Sequence, residues 1–272
     1  MSTPPPVITF LSDYGHSDPF VGVCHAVVAR ICPEAHVVDL THAVPRHDIR
    51  RAALVLRSAL PYLPAGVHLA VVDPEVGAER RAVALRLADE RLLVGPDNGV
   101  LAPAAARGDG VVEAVEIGRS PFRLEPVSAT FHGRDLFAPV AAHLAAGTPL
   151  AEAGTPLDPD ELVALELPRA RLEGEVLVAH ALTTDAFGNV ALDAAHAELA
   201  GSGLRLGRPV EIEVGGAAPV RARYARTFAD VAPGALLVYE DADRMLAVAL
   251  NRGSARDTLG LAEDVEVRLR PA

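Results

Sequence analysis

Apolar runs and helix-spaced apolar positions alternate through the first half of the chain. Val7–Ser12 (VITFLS) is a mostly apolar run that reads as a buried strand, and Phe20–Ile31 then repeats apolar residues at helical spacing. His36–Leu40 and Val67–Val72 predict two further strands, with a helix over Asp48–Leu60 between them. Parallel neighbours in a sheet need a crossover, which a helix supplies, so this alternation argues for an α/β domain with a mainly parallel, doubly wound sheet. Ala82–Leu87 and Arg91–Val94 read as a hairpin-like pair and Val112–Ile117 as another strand. Asp135–Ala146 reads as a helix stopped by Gly147.

The texture changes after about residue 165. Strand-like segments follow one another at Glu175–Leu182, Val190–Leu192, Pro209–Val214, Val220–Arg226, Leu236–Tyr239, Met245–Leu250 and Val265–Leu269, separated by Gly, Pro and Asp, with only Ala194–Ala200 helical in pattern. This predicts a smaller all-β domain, barrel or sandwich. Pro156–Pro168 reads as a linker, which places an α/β domain over 1–165 and a β-rich domain over 170–272.

Composition sharpens the picture in three ways. Half of the 272 residues are apolar but only 4% are aromatic and none is Trp, so the core must be built from Val, Leu, Ile and Ala. A formal net charge of −11 leaves no basic footprint for nucleic acid or anionic lipid; it suits a cationic small molecule, and equally a protein that is acidic for solubility. Cys24 and Cys32 lie two turns apart on one predicted helix, too far for a bridge, and read as buried thiols of a reducing compartment. The polar, Pro-rich opening and the lack of a membrane-length apolar run predict a soluble, cytoplasmic protein.

The common chemical signatures are missing: no P-loop, no G-x-G-x-x-G after a strand, no zinc-spaced Cys/His cluster and no G-x-S-x-G elbow. What remains is polar loops at strand ends, where ligands bind in open α/β sheets. In Ser12–Asp18 an ionised Asp13 or Asp18 can accept hydrogen bonds from a ribose diol, or cap the following helix. Asp73–Arg81 gathers carboxylates and guanidiniums in one turn, either as a held ion pair or as solvated surface charge. In Thr130–Asp135, His132 can act as base, donor or water anchor, or make only local bonds at a helix start. A fourth segment, Thr184–Asn189, offers an acceptor, an aromatic ring and an amide, or an ordinary Gly-Asn turn.

Taken together, SDYGHSDPFVG, VDPEVGAERR, VGPDNG, TFHGRD, DAFGNV, TFAD and NRGSA run through nearly the whole chain in one order. They resemble the S-adenosyl-L-methionine hydroxide adenosyltransferases, relatives of the fluorinases and chlorinases. The resemblance implies hydrolysis of S-adenosyl-L-methionine, a substrate rather than a cofactor, with no metal. Asp73, Arg80 and His132 match the family's water-handling set. Asp13 matches the residue that holds the ribose hydroxyls, Asp185 the one that meets the methionine ammonium, and Asn189 and Phe228 those at the adenine; Asp18, Phe187 and Asn251 complete the implied binding set. It also implies homotrimers with each site formed between subunits. The halogenating relatives carry Tyr-Ser-type residues where this chain has His132-Gly133, and fluorinases a longer insertion before Leu92–Gly99, so water is the implied nucleophile. Halide-dependent adenosyl transfer and non-catalytic binding of S-adenosylmethionine or adenosine are the alternatives. Two positions depart from the family: Glu75 stands where glycine is usual, and Ala242, followed by Asp243 and Arg244, stands where a serine meets the substrate carboxylate.

Overall fold

The structure, a computed structural model, describes residues 4–272. The chain forms two compact units, Met1–Leu165 and Glu166–Ala272.

The first unit is built on a seven-stranded sheet of β1 (Val7–Ser12), β2 (His36–Thr41), β3 (Val67–Val71), β4 (Ala82–Leu87), β5 (Leu92–Pro96), β6 (Val111–Glu116) and β7 (Thr155–Leu157), in the order β2-β1-β3-β5-β4-β6-β7. The run β2-β1-β3-β5 is parallel, and β4, β6 and β7 extend it by antiparallel pairing. Four helices cover it: α1 (Phe20–Ile31), α2 (Ile49–Ala59), α3 (Ala102–Arg107) and α4 (Ala138–Ala145). Side chains of β1 alternate between two cores. Ile8 and Phe10 pack with α1 and α4, while Leu11 packs with α2 and α3. Burial in the first of these cores pushes the Cys24 thiol up to about 12; it and Cys32 are free and buried.

Two expectations for this unit are corrected. Pro156–Pro168 is a linker only in part: the boundary between the units falls inside it, after Leu165, but its first residues belong to β7 and Val163 N donates to Asp97 Oδ1 at 2.8 Å. Proline suggested a break, yet β7 lies at the sheet edge, where proline is tolerated because no inward donor is lost. The helix predicted from Asp135 starts earlier, with a π-helical turn over Gly133–Phe137 that runs into α4. Such turns concentrate at functional sites.

The second unit is a barrel of β8 (Arg171–Glu173), β9 (Val176–Thr184), β10 (Val190–Ala195), β11 (Pro209–Val214), β12 (Val220–Tyr224), β13 (Leu236–Glu240), β14 (Met245–Leu250) and β15 (Glu266–Pro271). Its order is β10-β14-β13-β12-β11-β15-β9-β8, and a β10–β9 pairing closes the circle. Val190, Leu192 and Ala194 alternate inward along β10. The predicted helix Ala194–Ala200 is instead the end of β10 followed by a 3-10 turn at His196–Leu199. The unit's α-helix is α5 (Ala255–Leu259), where Ser254 Oγ accepts from Asp257 N and Gly260 ends the turn at φ 66°.

Candidate active site

Asp73 and Arg80 lie on the loop that leaves the carboxyl end of β3. Asn98 Nδ2 donates to Val72 O at 2.9 Å and so fixes the chain just before Asp73. Gly77, at φ 81°, then lets the loop lie against the segment that precedes His132: a Cβ there would stand 2.4 Å from Ala129 O, and the left-handed backbone itself favours glycine. That segment is tied down by Asp135, which is buried. Its Oδ2 accepts from Ser128 N at 2.8 Å and from Arg134 Nη2 at 2.8 Å.

These tethers bring three predicted residues together. Arg80 Nε donates to Asp73 Oδ1 and Oδ2, both at 3.0 Å, and Arg80 Nη2 reaches Asp73 Oδ2 as well. Nη2 is also 2.8 Å from His132 Nδ1. The side chains of Arg80 and Asp73 are only 5% and 6% exposed, so this is a buried pair and not solvated surface charge. The guanidinium carbon sits 5.2 Å from the Phe137 ring centroid. A guanidinium only donates, so His132 Nδ1 accepts; the ring is neutral and its proton is on Nε2. Burial, and after it the Arg80 charge, hold the pKa of His132 below its usual value against the opposing pull of Asp73 and Asp135. His132 makes no capping bond, so the purely local role is not the one the fold gives it.

The other charges of this loop face elsewhere. Arg81 Nε donates to Asp97 Oδ2 at 2.8 Å, and Glu75 and Glu79 are exposed. The carboxylate at position 75 is therefore on the surface and not part of the buried pair.

The loop after β1 supplies Asp13, whose Oδ2 accepts from His47 N at 2.9 Å. Asp18 is exposed, and α1 starts at Pro19 with no side-chain cap, so neither aspartate caps that helix. The loop is buttressed from below: Ser12 Oγ is 2.7 Å from His42 Nδ1, and Asp39 Oδ1 lies 3.0 Å from His42 Nε2 and 2.9 Å from His25 Nε2. Tyr14, on the same loop, was not among the expected site residues, yet its hydroxyl stands directly over Gly133.

In the second unit, the turn between β9 and β10 is organised by Asp185. Its Oδ1 accepts from Phe187 N at 2.8 Å and Asn189 N at 2.9 Å, and its Oδ2 from Asn189 Nδ2 at 2.8 Å. The turn residues are thus also bonded to one another, as an ordinary Asx turn would have them. Asn251 Nδ2 donates to Phe228 O at 3.1 Å and Val231 O at 2.8 Å, which positions Phe228. Phe187, Asn189, Phe228, Leu250, Arg252 and Gly253 line a cavity of about 470 Å³. Phe187 is 80% exposed, a large apolar ring left standing at that rim. Arg244, near the departure at Ala242, is exposed, and its Nε donates to Glu240 Oε1 at 3.2 Å.

A buried acid–guanidinium–imidazole set at the strand ends of an α/β sheet, with an aromatic pocket on a separate β-barrel, defines a two-domain protein that acts on small molecules. The chain belongs to the SAM hydroxide adenosyltransferase family: residues 8–154 match its N-terminal domain and residues 179–268 its C-terminal domain. It is 51% identical, over 98% of both chains, to the (R)-S-adenosyl-L-methionine hydrolase of Salinispora tropica. It is 29% identical, over 97% of each chain, to a fluorinase of Nocardia brasiliensis. A solved structure of an uncharacterized conserved protein from Thermotoga maritima is 35% identical and superposes with a TM-score of 0.89, covering 97% of this chain and 99% of that one.

Proposed function

We propose that this protein hydrolyses S-adenosyl-L-methionine to adenosine and L-methionine. The observation that carries the reading is the buried Asp73–Arg80–His132 linkage, in a chain about half identical to an (R)-S-adenosyl-L-methionine hydrolase.

The substrate is a sulfonium, so the leaving group is already good and the nucleophile limits the reaction. Bulk water has a pKa of about 15.7. Arg80 and the Nε2–H of His132 supply donors that hold a water oxygen and favour its hydroxide-like state, while Asp73 fixes the guanidinium. With Nδ1 engaged by Arg80 and Nε2 protonated, His132 is not the base; it positions and polarises. Water attacks C5′ in line, the C5′–S bond breaks with its electron pair going to sulfur, and the water proton leaves to solvent. Near-attack positioning alone lowers a barrier by about 7–11 kcal/mol in favourable cases, so a weak nucleophile suffices.

Asp13 and Asp18 bind the ribose side, Phe187, Asn189, Phe228 and Asn251 the adenine side, and Asp185 the methionine ammonium. Asn189 has its amide nitrogen committed to Asp185, which leaves its carbonyl oxygen as the acceptor it offers to an exocyclic amine. The protein works in the cytoplasm as a homotrimer, each site taking the first unit of one subunit and the second unit of the next; analytical ultracentrifugation giving a monomer at working concentration would remove that arrangement. Among the described residues, no helix is long and apolar enough to cross a membrane.

The test of the activity is incubation with S-adenosyl-L-methionine and chromatography of the nucleoside. Adenosine is expected from the wild type and is lost in Asp73→Ala and His132→Ala; undiminished turnover in both variants would overturn the assignment.

A further inference from the structure

We propose that Tyr14 is a specificity-determining residue of this reaction: its hydroxyl fills the space that a side chain at position 133 would occupy and presents to the nucleophile a group that can accept as well as donate. The inference rests on the hydrolase reading above and deepens it by naming what makes the nucleophile water.

Gly133 lies in a helical backbone that any residue can adopt, so conformation does not demand glycine there. Space does. A Cβ on Gly133 would meet Tyr14 Oη at 2.1 Å, Cζ at 3.0 Å and Cε2 at 3.2 Å. The tyrosine is not free to step aside, because its ring is clamped by three others: Phe10 at 6.2 Å and 81°, Phe131 at 5.9 Å and 77°, and Phe20 at 5.9 Å and 59°. Phe10 is itself fully buried between β1 and the helices. Positions 14 and 133 are thus interlocked: the space a side chain at position 133 would fill is taken by the hydroxyl carried from position 14.

The Tyr14 hydroxyl also faces the charges of the site. Burial holds its pKa well above the usual tyrosine value, and the nearby Cys24, Asp13 and Asp73 push the same way against Arg80. The phenol therefore keeps its proton at neutral pH, and its oxygen remains both donor and acceptor.

That dual character separates the possible nucleophiles. A halide ion only accepts hydrogen bonds, and donors alone satisfy it. Water carries two O–H groups that need acceptors. Asp73 has both oxygens bound by Arg80, and His132 Nδ1 is occupied by the same guanidinium. Tyr14 Oη is a neutral oxygen beside Gly133 that can accept the O–H the nucleophile keeps; as the other proton leaves to solvent, the hydroxide-like oxygen has one lone pair for Arg80, one for His132 and a third for C5′. It acts by positioning the nucleophile.

The experiment compares wild type, Tyr14→Phe, Gly133→Ser and the double variant Tyr14→Leu/Gly133→Ser. Products are adenosine and, in molar chloride, 5′-chloro-5′-deoxyadenosine, with kcat and KM measured separately and unfolding midpoints recorded. Tyr14→Phe keeps the clamped ring, and is expected to lower kcat about tenfold, the worth of one hydrogen bond made at the transition state, with KM unchanged. It is also expected to raise the halogenated share of product. Gly133→Ser is expected to lower the unfolding midpoint, and Tyr14→Leu in the same chain to restore it. A Tyr14→Phe enzyme with wild-type kcat and product ratio, or a Gly133→Ser chain as stable as wild type, overturns the proposal. A wild type that makes no adenosine at all would instead sink the hydrolase reading, while the paired unfolding midpoints would still report on the interlock.

Discussion

The two units carry their candidate site residues in opposite ways. In the first, the side chains of Asp73 and Arg80 are almost wholly withdrawn from water and bonded to each other, and Arg80 also bonds His132 from a distant loop. In the second, the rings of Phe187 and Phe228 line an open cavity; Asp185 and Asn189 bond within one turn, and Asn251 bonds the backbone of the Phe228 segment. A buried charged set is expensive to assemble and rigid once made, as control of a nucleophile requires. An exposed aromatic pocket costs little and offers stacking area to a planar base. This difference supports the proposal that the chemistry belongs to the first unit and recognition of the base to the second.

Breaking the buried pair should have the largest effect. Asp73→Ala leaves the Arg80 guanidinium buried without its carboxylate, and a loss of about 3–5 kcal/mol in unfolding free energy is expected by urea titration, together with loss of turnover. A stability within experimental error of wild type would show that the pair is solvated. The conservative His132→Gln should lower kcat by about 10²-fold with little change in KM, the signature of a group whose interaction is made in the transition state. Wild-type activity should also fall on the acid side, with an apparent pKa below the usual imidazole value of about 6.5, because protonating His132 removes the acceptor that Arg80 holds. An acid limb above that value would contradict the neutral ring.

Acid stability sharpens the same contrast. His68 on β3 is fully buried with Nδ1 3.0 Å from Thr9 Oγ1, and burial, followed by Arg91, lowers its pKa to about 4. Its folded-state pKa lies below the unfolded value, so the unfolded chain binds the proton first. The stability is whole above about pH 6.5 and is lost as the pH falls toward 4, by up to about 3 kcal/mol. His68→Leu should flatten that limb in urea titrations from pH 7.5 to 4.5; an unchanged slope would place the proton elsewhere. Smaller effects are expected in the recognition unit. Phe228→Ala should raise KM about tenfold and leave kcat near wild type, and Phe187→Ala, at the exposed rim, should do the same more weakly. A fall in kcat without a change in KM would erase the division of labour between the units.

Much of this was legible in the chain. Most strands of both units announce themselves as short, mostly apolar runs such as VITFLS, but the three-residue strands β7 and β8 do not. Asp73 and Arg80 are visible as polar residues beyond a strand and His132 as one before a helix, but their mutual bonding is not, since it depends on Gly77 meeting Ala129 from a segment far along the chain. Pro156 misled because proline reads as a break in any strand, and only the sheet order shows that β7 is an edge. The helix α5 carried its signal in Ser254, Asp257 and Gly260, too short a span for apolar periodicity to register. Tyr14 was hidden for a different reason: a tyrosine beside a strand reads as core, and its role shows only when its hydroxyl is found over a glycine from another loop.

The most direct measurement is hydrolysis of S-adenosyl-L-methionine in ¹⁸O-labelled water, followed by mass spectrometry of both products. In-line attack by water at C5′ puts one labelled oxygen into the 5′-hydroxyl of adenosine and none into methionine. Unlabelled adenosine, label in the amino acid, or a halogenated nucleoside as the main product would contradict the assignment of water as the nucleophile held by Arg80 and His132.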